Sequence, residues 1–206
     1  MKSGSSHDAP ASIHRPLWIL PAIVMGQWMV TSLWFATNAV IGSLQDLWGI
    51  SGGEGIVTTA VQLGFIAGTL VFAVTGIADR FRATMVFFIC AATGAAANAA
   101  VLVTPGSFES VLLLRFLVGV SLAGVYPVGM RIAAGWYAGG LGRALGFLVG
   151  ALVLGTASPH LLSAIGAQWD WQMIVGGTSL LALAGGMLVW WVPEGPRVAR
   201  GGAVRF

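Results

Sequence analysis

Charge is the scarcest feature of this chain. Only 8% of its 206 residues are Asp, Glu, Lys or Arg, against roughly 25% in ordinary soluble domains. So little charge cannot clothe a water-facing surface, which excludes a soluble globular domain. The calculated pI is 9.8, yet the basic residues are too few and too scattered for a nucleic-acid surface. Cysteine is down to one residue, Cys90, set in an apolar run. That excludes an intrachain disulfide and a cysteine-based metal site. The long apolar runs hold no carboxylate well inside them, no metal-spaced His and Cys cluster, and no nucleophile beside a base. The GGLG at 139–142 reads as a turn and fits no phosphate-cradling pattern. The expectation is a protein that is not an enzyme and carries no metal or cofactor.

What remains is apolar. Hydrophobic residues make up 57%, mean hydropathy is +0.87, and there are nine Trp and thirty Gly. Trp gathers at membrane interfaces and Gly at close helix contacts. Apolar runs of about 20 residues give six spans, at 17–42, 55–78, 84–104, 108–134, 143–165 and 171–192. They must be helices, because open strands in lipid leave backbone groups unsatisfied. Turn chemistry separates them: WGISGGEG, ADRFRA, TPGSFE, WYAGGLGR and GAQWDW. Residues 1–16 form a polar tail. Span 1 is too long for a signal-peptide core of about 7–15 residues and reads as a retained helix. The expected division is thus a tail at 1–16, a transmembrane domain at 17–192, and a second tail or the start of a linker at 193–206.

Basic residues sort by side. Lys2 and Arg15 precede span 1, Arg80 and Arg82 lie between spans 2 and 3, Arg143 opens span 5, and Arg197, Arg200 and Arg205 follow span 6. The alternate loops carry Asp46, Glu54, Glu109 and Asp170, with no Lys or Arg. The positive-inside rule places both termini in the cytoplasm, as for an integral protein of the plasma (inner) membrane. Arg115 and Arg131, both in span 4, fall outside this sorting.

The loop TGIADRFRAT, Thr75 to Thr84, resembles the Asp-Arg loop of the major facilitator superfamily. Asp79 and Arg80 match, with Ala78 before them. Aligned on Asp79, Thr75 stands where the first glycine belongs and Gly76 comes one place late. Arg82 takes the second glycine position, and Ala83 and Thr84 replace a basic pair. Arg115-x-x-x-Gly119 resembles the family's span 4 signature. GVYPVGMRIAAGWY followed by GRALGFLVGALVLG, WDWQMIVGGTSLLALAGG, and VPEGP continue the likeness to Pro196.

The resemblance implies an all-α polytopic membrane protein: the amino-terminal six-helix half of a transporter, built from two inverted three-helix repeats. Its activity would be alternating-access transport of a small solute, by an ion gradient such as H+ or by facilitation, without nucleotide. Members have twelve spans, so a second six-helix half, another copy or a separate chain, is the implied partner alongside the lipid bilayer. The alternative is a non-transporting six-helix membrane partner, an assembly subunit or a remnant.

In span 1, Gln27, Thr31, Trp34 and Asn38 fall at steps of four, three and four on one face. Lipid offers them no partners, so they face protein or a water-filled cavity. Both readings are open: bonds to neighbouring helices, or, as the resemblance implies for spans 1, 2, 4 and 5, the wall of a substrate path. Gln62, Arg115 and Tyr126 join Gln27, Thr31 and Asn38 as path candidates. An intramembrane arginine hints at an anionic solute or a coupling role, and snorkelling is the plain alternative. The family's charge cluster falls on Asp79, Arg80 and Arg131, where it implies a gating latch; the plain alternative is an interfacial ion pair. Pro127 is expected to kink span 4. His160 carries the side-chain type that titrates nearest neutral pH and is a candidate proton carrier or an interface residue. The glycines at 64 and 68 and at 142, 146 and 150 are expected to serve packing, and Asn98 to bond a neighbouring helix.

Overall fold

The computed structural model describes residues 16–137, 139–165 and 169–196. The expected tails therefore lie outside the described residues apart from Pro16 and 193–196, as do Lys2, Arg15, Arg197, Arg200 and Arg205. Every regular element among the described residues is a helix, with no strand among them. Nine α-helices follow in order: α1 (Ile19–Thr31), α2 (Ile41–Trp48), α3 (Glu54–Thr75), α4 (Ile77–Arg80), α5 (Ala83–Ala100), α6 (Phe108–Ala123), α7 (Tyr126–Trp136), α8 (Leu141–Ile165) and α9 (Trp171–Trp190). Five stretches are long and apolar enough to cross a membrane: α3, α5, α6 with α7, α8 and α9. A sixth forms when α1 and α2 are taken as one span bent by 49°.

Span 1 is the irregular one. After Thr31 the chain tightens into a 3₁₀ turn over Ser32–Phe35 and a second over Asn38–Val40 before α2 begins. Span 4 breaks more gently. The Gly124 and Val125 amides bond Ser121 and Leu122, three residues back, and α7 restarts at Tyr126 with Pro127 in its first turn. There a missing N–H costs nothing, because first-turn amides have no intrahelical acceptor.

The packing follows the inverted repeat, in which spans 1, 2 and 3 correspond to spans 4, 5 and 6. Span 2 crosses span 4 through glycines: a Cβ on Gly64 would fall on the Phe116 carbonyl, and one on Gly119 on that of Val61. The counterpart is span 5 against span 1, where a Cβ on Gly155 would strike the Thr31 hydroxyl. Spans 1 and 6 touch at Gly26 and Gly185; a Cβ on either would lie 2.9 Å from the other's carbonyl oxygen, closer than side chains come. Spans 3 and 4 meet at Thr93 and Ser121, whose hydroxyls are 3.2 Å apart. Spans 3 and 6, the matching pair, join where Asn98 donates to the Val175 carbonyl, Thr178 and Ser179.

Gly142, Gly146 and Gly150 depart from the expectation of packing. All three are on α8 with nothing within 4 Å of a Cβ built on them. Their spacing resembles that of Gly64 and Gly68, but α8 turns Gly155 to its neighbour and leaves the other three on an open face.

Candidate functional site

The buried arginine and the break in span 1 explain each other. A 3₁₀ turn leaves its carbonyls poorly bonded, and in lipid no water can serve them. The Ala36 amide reaches the Leu33 carbonyl at only 3.4 Å. Arg115 is completely buried and sends Nη1 to that carbonyl at 3.0 Å and Nη2 to the carbonyl of Trp34. The planar guanidinium serves two acceptors that one residue's spacing sets side by side. Its Nε is left without a partner. One turn on, Gly119 lets α6 close on α3. Arg-x-x-x-Gly thus holds a broken helix on one side of span 4 and a crossing helix on the other.

The rest of the span 1 stripe divides. Gln27 is fully buried, with its amide oxygen against the Gly129 backbone, and both its amide atoms lack hydrogen-bond partners. Thr31 is buried and spends its hydroxyl on the Gln27 and Trp28 carbonyls of its own helix. Asn38 donates to the Thr58 hydroxyl at 2.8 Å, tying span 1 to span 2. Trp28 donates its indole N–H to Ser158, tying span 1 to span 5. Gln62 is exposed on α3. His160 is exposed on α8, its ring centroid 5.8 Å from that of Phe35.

At mid-bundle lies a cavity of about 190 Å³ walled by Thr31, Trp34, Phe65, Leu122, Tyr126 and Leu152. Spans 1, 2, 4 and 5 all contribute; spans 3 and 6 do not. Of the six path candidates, the structure brings Thr31 and Tyr126 to this wall and disperses the other four. Phe65, Leu122 and Leu152 carried no signal in the sequence, being apolar residues in apolar runs. Trp34 lies on the stripe but was not among the path candidates. A groove of about 510 Å³ lies on spans 1 and 5 nearer the chain ends, lined in part by Leu20, Val24, Arg143 and Phe147. Among the described residues no three His, Cys, Asp or Glu side chains gather as for a metal.

The charge cluster sits where spans 2 and 4 end. Arg131 Nε stands 3.6 Å from Asp79 Oδ1, with the aspartate mostly exposed; Arg80 is exposed and outside the pair. Gly76 adopts the left-handed conformation, with φ of 61°, between α3 and α4, so the displaced glycine makes the turn from its own position. Arg82, where the family has glycine, donates to the Val192 carbonyl at 3.4 Å and helps close the end of span 6. Trp136 does the same for Pro193.

A search of curated proteins finds no match. Among solved structures the chain is similar to one described as the MFS proton:xylose symporter XylE bound to 6-bromo-6-deoxy-D-glucose. That match has a TM-score of 0.74 and 16% identity, covering 87% of this chain and 45% of the other. The chain thus spans less than half the length of that transporter, and the likeness at this identity is one of fold. The family model of the Major Facilitator Superfamily matches residues 23–204, nearly the whole chain, and the chain belongs to that superfamily.

Proposed function

We propose that this chain acts as the amino-terminal half of a secondary transporter that moves a small solute by alternating access. A second six-helix unit would pair with it across spans 2 and 5. The observation that carries the reading is the mid-bundle cavity walled by spans 1, 2, 4 and 5. A solute site between two halves near the midplane is where this architecture puts one, and the open glycines of α8 leave that side of the bundle free for a second unit.

In this reading the protein lies in the plasma (inner) membrane with both termini cytoplasmic, in keeping with the loop arginines. The Asp79–Arg131 pair latches the cytoplasmic end while the outer end is open. Arg115 keeps the bend of span 1 at mid-depth, so that the two halves of that span can meet different neighbours.

Reciprocal accessibility tests the reading whatever the solute. Single-cysteine variants Gln62→Cys and Phe147→Cys, in a Cys90→Ser background, report the outer and inner halves of the path. Asp79→Asn is expected to raise thiol labelling at the inner position and lower it at the outer. Labelling that stays unchanged at both would contradict alternating access and favour a non-transporting membrane partner.

A further inference from the structure

No polar side chain presents a polar atom to the cavity: Tyr126 turns apolar surface to it, and Gln62, exposed on α3, lies outside its wall. Gln27 is sealed under Gly129, the Thr31 hydroxyl is bonded to its own helix, Asn38 is bonded to Thr58, and Arg115 is wholly buried on the carbonyls of span 1. What is left at the cavity is an apolar wall, with the rings of Trp34 and Phe65 tilted at 56° and centroids 5.0 Å apart. We infer that this site takes a small, uncharged, apolar solute of the aromatic-ring class, an inference that rests on the reading of this face as a transport path.

The alternatives fail on chemistry. A sugar carries hydroxyls over its whole surface, and those turned to this wall would lose water without gaining a partner. An organic anion would need a cation at the wall. Arg115 is wholly buried on the span 1 carbonyls, and Arg143 stands at the inner end of the path, 5.9 Å above the Phe147 ring and outside the cavity wall. A flat apolar ring suits the wall, because aromatic faces and edges offer it contact without hydrogen bonds. The cavity of about 190 Å³ is smaller than the roughly 300–1,000 Å³ of drug-sized sites. One ring system fills it, and the second unit supplies the facing wall.

The test uses the full chain in membrane vesicles, carrying Cys90→Ser and Leu152→Cys, with N-ethylmaleimide as the reagent. Indole is expected to slow alkylation of the thiol at position 152 several-fold, while D-xylose and benzoate leave it unchanged. The same indole should not protect Leu180→Cys on the exposed face of α9, and Trp34→Ala should abolish protection at 152. Protection by xylose or benzoate but not by indole would overturn the solute class. No protection by any of the three would overturn the site. Either result leaves the transport reading standing if Gln62→Cys and Phe147→Cys still respond reciprocally to Asp79→Asn. Loss of that reciprocity removes the transport reading and this inference with it.

Discussion

Spans 3 and 6 and spans 2 and 5 are similarly apolar, with mean hydropathies of 1.5 and 1.8 against 1.9 and 1.7, yet the bundle treats them in opposite ways. Over the most apolar 18 residues of each, half of span 3 and 44% of span 6 are buried within the chain, but only 22% of spans 2 and 5. The first pair is locked by Asn98, which reaches three partners on span 6. The second pair keeps one row of contacts each, Gly64 and Gly68 on span 2 and Gly155 on span 5, and leaves the rest uncovered. Hydrophobicity says that a segment lives in the membrane. Where it stands is decided by which polar side chains and glycines find partners. In lipid there is little hydrophobic force between helices, so close backbone approach and interhelical hydrogen bonds carry the assembly.

If engagement inside the chain is what separates the regions, losses should follow it. The largest is expected at Arg115. Arg115→Ala strips donors from two buried carbonyls at about 1–3 kcal/mol each, lowering the melting temperature and abolishing any flux of the assembled protein. Arg115→Lys should recover part of the stability only, since an ammonium does not reproduce the fork. Thermal unfolding in detergent, followed by circular dichroism, measures both.

Next come the glycines, where the two regions separate most sharply. Gly119→Leu places a Cβ on the Val61 carbonyl and should cost about 1–3 kcal/mol. Gly146→Leu meets open space and should leave the chain's own stability within about 0.5 kcal/mol. Equal destabilisation by the two variants would erase the distinction between packed and open faces.

A smaller effect is expected in the locked region. Asn98→Leu should cost about 0.6 kcal/mol and at most about 1.7, the range for interhelical hydrogen bonds in membranes. The smallest belongs to Asp79→Asn. Its pair with Arg131 is mostly exposed on the carboxylate side, and such pairs contribute about 0–1 kcal/mol. The variant should alter accessibility of the path far more than it alters the melting temperature.

Five spans were legible, and a sixth where the bent first stretch is counted as one, because each needs only a long apolar run. The break in span 1 was not, because its cause lies across the bundle: SLWFATNAV gives up α-helical bonds where Arg115, on span 4, can serve the freed carbonyls. Pro127 was legible as an interruption of span 4, but its seat in the first turn of α7 depends on Gly124 ending α6 just before it. Glycine spacing misled at Gly142, Gly146 and Gly150, since a small-residue row states that a close approach is possible and leaves open whether any helix makes it. The period of the span 1 stripe gave Gln27, Thr31, Trp34 and Asn38 one face, and the structure divides them, with Gln27 at span 4, Thr31 at span 5 and Asn38 at span 2. The period could not tell that Thr31 bonds its own backbone while Trp34, the least polar member, reaches the cavity.

The most direct measurement compares Gly146 on span 5 with Leu180 on span 6, both exposed in the chain by itself. Gly146→Cys and Leu180→Cys, each in a Cys90→Ser background, are spin-labelled in membranes of the cells that natively make the protein, and oxygen accessibility is read by power saturation. High accessibility at 180 and low accessibility at 146 is expected, because lipid covers span 6 while a second unit and the path cover span 5. Equal, lipid-like accessibility at both positions would contradict the pairing of this six-helix bundle with another across spans 2 and 5.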